Sequence, residues 1–122
     1  MKKKTIKIPI YFGDFIIIFD PEEWKNVNEI YQHRLQWDRP ADERDAAFVF
    51  DDCHMGYSRY VVCFKDRPKN CIIAHECVHL VNKLFKGRGQ KLDIENDEAQ
   101  AYRRGWFFDQ IEKFFDGLRQ TT

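Results

Sequence analysis

Residues 72–86 place apolar side chains at helical spacing and carry two histidines four residues apart. On a helix that turns about 100° per residue, one side is predicted to be apolar. Its members are Ile73, Ala74, Cys77, Val78, Leu80, Val81, Leu84 and Phe85. The other side is predicted to be polar, with His75, Glu76, His79, Asn82, Lys83 and Lys86. The pattern predicts one amphipathic helix from near Pro68 to the glycines at 87–89, with Cys77 as a core residue and not a metal ligand.

The polar side contains the pattern His-Glu-x-x-His, formed by His75, Glu76 and His79. Residues four apart on a helix lie one above the other, with their Cβ atoms about 6 Å apart, so both imidazoles can reach one ion. Zn²⁺ accepts such nitrogens at about 2.0–2.1 Å in tetrahedral geometry. Glu76 is placed to take a proton from a zinc-bound water. The pattern predicts one Zn²⁺ site with Glu76 as general base. The alternative is that these side chains only decorate a solvent-facing helix.

A zinc site of this kind needs a third protein ligand, and Glu98 is the expected one. Glu98 follows His79 by 19 residues, early in a last helix that is predicted to start at Asp93 and to reach about residue 118. The small residues Ala101 and Gly105 lie on the same side of that helix as Glu98. Small residues there predict a close approach of the two helix backbones, which a short carboxylate needs to reach the ion.

Four further residues are weaker candidates for the site. Glu95 and Asp97 compete with Glu98 as ligand, although Asp97 is rotated about 100° from the small-residue side. Tyr102, one turn after Glu98, is a candidate oxyanion donor, and core packing is the alternative. His54, in the turn between two predicted strands, is a candidate for oxyanion stabilisation or substrate binding. A solvated turn histidine is its alternative.

The rest of the chain predicts a small sheet and one more helix. Strands are expected at residues 6–12, 15–19, 46–50 and 57–64. Pro9 cannot donate to a ladder, so the first strand is expected at an edge, and Gly13 and Asp14 predict a hairpin turn after it. Asp20 and Glu23 predict a capping box for a helix that reaches about residue 37. The order predicts an α+β fold with three helices and a small, largely antiparallel sheet of about four strands.

Length, charge and cysteine pattern limit the classes of protein. A chain of 122 residues suits one domain over residues 1–122. Twenty Lys and Arg balance twenty Asp and Glu, so neither nucleic acid nor a membrane surface is an expected partner. The longest strongly apolar run, residues 15–19, is far too short to span a membrane. The basic first residues lack the apolar core and cleavage site of a signal peptide. The four cysteines are expected within strands or helices and form no Cys-x-x-Cys pair, so reduced thiols and a cytoplasmic protein are expected.

The motif and its downstream segment resemble a known class of zinc enzyme. His75-Glu76-x-x-His79 followed by the run NDEAQAY at residues 96–102 resembles gluzincins, the zinc peptidases with His-Glu-x-x-His plus a glutamate. It is similar to small zincin-like proteins of phages and mobile elements, including the ImmA/IrrE group, over about residues 68–108. The resemblance implies that His75, His79 and Glu98 bind zinc and that Glu76 is the base. It also implies that the strand at residues 57–64 lines the cleft and pairs with extended substrate.

These observations favour one function and leave a second open. The expected function is a zinc-dependent metallopeptidase that hydrolyses peptide bonds of a protein substrate by Glu76-assisted attack of zinc-bound water. The alternative is a zinc-containing regulatory or binding protein of the phage type, without significant turnover. The intact Glu76 favours the enzyme, since a purely structural zinc site gains nothing from a base and usually closes with four protein ligands.

Overall fold

The computed structural model describes residues 1–11, 13–22, 24–31, 46–54, 57–87, 89, 93–95 and 97–120. Their contacts divide the chain into two compact units, Met1–Arg67 and Pro68–Thr122. The first unit holds a four-stranded sheet and a short helix, and the second holds two longer helices. The predicted α+β class, with four strands and three helices, is confirmed. The assignment of residues 1–122 to a single domain stays a prediction.

The elements follow one another in the predicted order of type. The strands are β1 (Lys2–Lys7), β2 (Gly13–Phe19), β3 (Ala47–His54) and β4 (Tyr57–Phe64). The helices are α1 (Lys25–Tyr31), α2 (Asn70–Gly87) and α3 (Glu98–Gln120). Of the helix predicted up to about residue 37, the part beyond Tyr31 lies outside the described residues. Among the described helices, none combines the length and the apolar character needed to cross a membrane.

The sheet is mixed, with the strand order β1-β2-β4-β3. β1 pairs with β2 and β3 pairs with β4 in antiparallel fashion, whereas the central pair, β2 and β4, is parallel. Two of the three pairings are therefore antiparallel, as expected of a largely antiparallel sheet. A parallel pair needs a long crossover, and here α1 and β3 lie in the chain between its two strands.

The position of β4 contradicts the prediction that it is an edge strand open to substrate. Val61 of β4 lies opposite Ile16 on one side and Phe50 on the other, so the strand has a ladder on each side. The edges are β1 and β3, which confirms the prediction that the first strand lies at an edge. The continuous buried run from Tyr60 to Phe64 is typical of a central strand covered on both faces. Extended substrate therefore cannot add to β4.

The first hairpin also differs from its prediction. β1 ends at Lys7, before Pro9, and Gly13 already belongs to β2. The turn is closed by two hydrogen bonds: Ile8 N–H donates to the Gly13 carbonyl and Gly13 N–H donates to the Tyr11 carbonyl, each at 3.1 Å. Pro9 has no N–H to donate, so the ladder ends before it and the turn begins there. Residue 12, predicted to end the first strand, lies outside the described residues.

One face of the sheet packs against α1 and the residues that precede it. Alternate residues of β2, β3 and β4 share this face because side chains alternate along a strand. The Trp24 ring contacts Phe48 edge-on, with the ring centroids 4.7 Å apart. The buried members of this cluster are Ile16, Ile18, Trp24, Val27, Phe50, Val61 and Cys63. This cluster forms the described core of the first unit on that face.

Asp20 caps α1, as its sequence position predicts. Its side chain is completely buried, and it accepts hydrogen bonds from the Val27 N–H at 2.9 Å and the Asn26 side-chain amide at 3.1 Å. The predicted start of the helix is wrong, since a cap at Asp20 predicts a helix that starts at the next residue, whereas α1 starts at Lys25. Glu23, the predicted partner in the capping box, lies outside the described residues. The buried carboxylate therefore satisfies helix-end donors that water cannot reach.

We expect Asp20→Ala to lower the free energy of unfolding by about 2–3 kcal/mol, since it removes a cap and leaves a buried Val27 N–H without its acceptor. Urea denaturation measures the change. Glu22→Ala, two residues further on and exposed, is the matched control and should change stability by less than about 0.5 kcal/mol. Equal effects of the two variants would contradict the capping role of Asp20.

Candidate metal site

The helix that carries both histidines, α2, begins two residues after Pro68. The N–H groups of Ile72 and Ile73 donate to the Lys69 carbonyl at 3.0 and 3.2 Å, which closes the first turn. One side of the helix is buried throughout its length. Its buried members are Ile73, Glu76, Cys77, Leu80, Val81, Leu84 and Phe85. The predicted amphipathic helix is thus present, and most of the residues on its buried side are large and apolar.

The boundary between the two sides of α2 differs from the prediction at three residues. Glu76, predicted on the polar side, is buried and only 5% exposed. Ala74 and Val78, predicted in the core, are exposed, Val78 to 42%. The larger residues of the helix, Leu84 and Phe85 among them, bury more area than Ala74 or Val78. They decide the rotation of the helix, and Glu76 turns inward with them.

The two histidines lie on the exposed side of α2 and approach each other closely. Their Nε2 atoms are 3.2 Å apart, and their ring centroids are 4.9 Å apart with the planes at 73°. Two nitrogens that bind tetrahedral Zn²⁺ at about 2.0–2.1 Å must be separated by about 3.3 Å. The pair therefore has the spacing that zinc requires. A hydrogen bond from a protonated to an unprotonated ring nitrogen also suits this distance.

Cys77, next to Glu76, is a core residue as predicted. It is 2% exposed, and burial, together with the nearby charge of Glu76, raises the pKa of its thiol to about 12. Cys77 lies on the buried side of α2, whereas His75 and His79 lie on the exposed side. Cys77 is therefore unsuited to be a ligand.

The predicted close approach at the small residues of α3 is wrong. Ala101 and Gly105 are exposed, and a Cβ atom built at Gly105 would meet nothing within 4 Å. The buried residues of α3 are Arg103, Phe107, Ile111, Phe114 and Phe115. The side with Ala101 and Gly105 carries small residues and has almost no apolar area. The aromatic side buries more apolar area and therefore turns inward instead.

Glu98 is the first residue of α3, and its side chain is exposed. No group of three or more His, Cys, Asp or Glu side chains that could hold a metal ion occurs within the described residues. The structure brings together His75 and His79, and does not add Glu98 to them. Its role as the third ligand stays a prediction.

The start of α3 is five residues later than predicted. Asp93 caps a turn instead, since its carboxylate accepts the Glu95 N–H at 3.0 Å. The helix itself is preceded by Asp97, whose carbonyl accepts the Ala101 N–H at 2.9 Å. Glu95 and Asp97 are both exposed in the segment before the helix. Both residues therefore remain alternatives to Glu98 as the third ligand.

The two candidate oxyanion donors lie in different surroundings. Tyr102 is 64% exposed on α3, and the Arg103 guanidinium carbon lies 5.2 Å from its ring centroid. This exposure contradicts the alternative that Tyr102 is a core residue. The prediction that His54 lies in the turn is wrong, since His54 is the last residue of β3 and lies opposite Tyr57 of β4, in the first unit. Its side chain is outside the described part. The catalytic roles of Tyr102 and His54 stay predictions.

A groove beside the histidine pair was not foreseen from the sequence. It has a volume of about 180 Å³ and lies between α2 and α3. Its lining residues are Val78, Val81, Asn82, Gln100 and Arg104. The polar residues Gln100 and Arg104, four apart on α3, were the sequence signal. It was missed because Val78 was assigned to the core and the opposite side of α3 was expected to face α2.

Comparison of the chain with protein-family models, with curated proteins and with solved structures gives no match. The function is therefore inferred from the geometry of the histidine pair and from the residues around it.

Proposed function

We propose that this chain is a zinc-dependent peptidase that hydrolyses peptide bonds of a protein substrate. The observation that carries the proposal is the 3.2 Å separation of the His75 and His79 Nε2 atoms, which suits two ligands of one Zn²⁺. Glu76 follows the first of these histidines directly, as the His-Glu-x-x-His pattern requires. Zinc-loaded protein incubated with a peptide library, with cleavage products identified by mass spectrometry, tests the activity.

Each residue has a separate task in this proposal. His75 and His79 hold the ion through their exposed Nε2 atoms. Zn²⁺, when bound, supplies a Lewis acid that polarises a carbonyl and acidifies water. Glu76 accepts a proton from the attacking water as the new bond to the carbonyl carbon forms, and it returns this proton to the leaving amine. Tyr102, exposed on α3, is the proposed donor to the developing oxyanion, and His54 is the second candidate for that role.

Glu98 is the proposed third ligand. Its side chain is exposed at the start of α3 and takes no part in the helix core, so it is available to a metal ion. Glu98→Ala should weaken zinc binding by at least about 10–100-fold, the loss that follows even from changes one shell further out. Competition with a zinc-chelating dye measures the affinity. Glu95→Ala and Asp97→Ala are the controls and should bind zinc normally. An effect of Glu95→Ala equal to that expected of Glu98→Ala would transfer the ligand role to Glu95.

A second function is favoured by one specific observation. Glu76 is only 5% exposed, whereas His75 and His79 lie on the exposed side of the same helix. A base that is withdrawn from solvent, beside an open histidine pair, also suits a zinc-containing regulatory or binding protein of the phage type without significant turnover. Turnover separates the two functions, because only the peptidase releases peptide products.

We also propose that the protein acts in a reducing compartment such as the cytoplasm. Cys71 and Cys77 are free thiols in the structure. Cys71 is exposed, and an exposed free thiol persists in a compartment where glutathione keeps cysteines reduced.

A further inference from the structure

The groove beside the histidine pair combines an apolar wall with polar groups at its mouth. Val78 and Val81 of α2 supply the apolar surface, and Asn82 stands one turn after His79 on the same helix. From α3 come Gln100 and Arg104, which are four residues apart and therefore lie one above the other. A volume of about 180 Å³ accommodates one amino-acid side chain rather than a whole peptide.

Its polar groups are mostly donors. The Gln100 Oε1 atom already accepts the Asp93 N–H at 2.9 Å, so its amide NH₂ remains to donate. Arg104 contributes a guanidinium with five N–H donors and a permanent positive charge. None of the ion pairs between described residues uses Arg104. No lining residue is acidic, so the groove carries a net positive charge within the described part of the chain.

We propose that this groove binds a carboxylate of the substrate, with Arg104 as the residue that recognises it. A planar guanidinium binds a carboxylate through two parallel hydrogen bonds, and the Gln100 amide adds a third donor. Val78 and Val81 contact the methylene groups that carry the carboxylate. The carboxylate is either that of an acidic side chain or the free carboxyl terminus of a peptide.

The α2 side of the groove adjoins His79 along the helix, so in the proposed peptidase the groove would hold a residue close to the cleaved bond. Val78 directly precedes His79, and Asn82 follows it by three positions, a separation of about 5–6 Å between Cβ atoms. Successive residues of an extended peptide are about 3.3 Å apart. An acidic residue bound at Arg104 therefore places a neighbouring peptide carbonyl at the histidine pair. This last step rests on the proposed peptidase function, whereas binding in the groove does not.

Chemical-shift titration of the ¹⁵N-labelled full chain tests the proposal without any turnover. Three probes are compared: N-acetylglutamate α-amide, with a side-chain carboxylate; N-acetylalanine, with a terminal carboxylate; and N-acetylglutamine amide, which is neutral. We expect one or both carboxylates to shift the amide signals of Val78, Asn82 and Gln100, and the neutral probe to leave them in place. The carboxylate that binds more tightly shows whether the groove takes an acidic side chain or the free carboxyl terminus of a peptide.

Variants of Arg104 then decide whether it recognises the carboxylate. Arg104→Gln should weaken carboxylate binding about fivefold or more. Arg104→Lys keeps the charge but loses the two parallel hydrogen bonds of the guanidinium, so it should weaken binding less. Arg119→Gln, an exposed arginine on the same helix, is the matched control and should bind as the unchanged chain does. Equal binding of the neutral probe, unchanged affinity in Arg104→Gln, or no shift up to the solubility limit would each overturn the proposal. Carboxylate binding that depends on Arg104, together with no cleavage of any peptide in the library, would support the groove proposal and overturn the peptidase function.

Discussion

Replacing Glu76 with glutamine should lower the rate of peptide hydrolysis by at least about 10²–10⁴-fold, the range that a positioned general base contributes. Glutamine keeps the shape and volume of the side chain but cannot accept the proton. The side chain is buried, so an isosteric replacement also preserves packing on the inner side of α2. Rates of cleavage of a peptide found in the library screen measure the effect, at equal zinc content.

Glu112→Gln is the matched control for this experiment, because it makes the same chemical change at an exposed position of α3. It should leave the rate unchanged. Zinc content and melting temperature of Glu76→Gln should also match those of the unchanged chain. Full activity in a folded, zinc-loaded Glu76→Gln protein would show that Glu76 is not the base. If the unchanged chain cleaves no peptide in the library screen, the regulatory protein would be favoured.

Replacement of either histidine should remove the metal. His75→Ala and His79→Ala each leave one imidazole on the exposed side of α2, so zinc content should fall from about one ion per chain to near zero after dialysis. Elemental analysis of the purified proteins measures it. Both side chains are exposed, so stability without metal should change little.

Cys71→Ser is the control for the histidine variants. Cys71 carries an exposed free thiol one turn before His75 on α2, and it is the nearest soft ligand on that side of the helix. It should retain one zinc per chain. Zinc that persists in the His75→Ala, His79→Ala double variant but disappears in Cys71→Ser would move the site away from the histidine pair.

The sequence predicts elements well where a local rule decides the structure. The buried cap at Asp20 follows from the hydrogen-bonding capacity of a single residue. The helical run around His75 and His79 follows from apolar spacing, and so does the placement of both histidines on one side. These features need no knowledge of distant contacts.

The errors arise where several surfaces compete for burial. Alternation and length do not reveal that β4 enters the centre of the sheet, since that depends on which strands pair. On α3, the small residues Ala101 and Gly105 suggested a packing side, but the aromatic side buries more apolar area and turns inward. The same competition moved Glu76 inside and Val78 outside.

The proposed function requires one Zn²⁺ between the Nε2 atoms of His75 and His79. Anomalous diffraction at the zinc absorption edge, from crystals grown with zinc, tests it most directly. We expect one peak per chain, about 2.0–2.1 Å from both Nε2 atoms, with a further ligand from the segment around Glu98. A peak bound by other residues, or no peak within bonding distance of the two histidines, would contradict it.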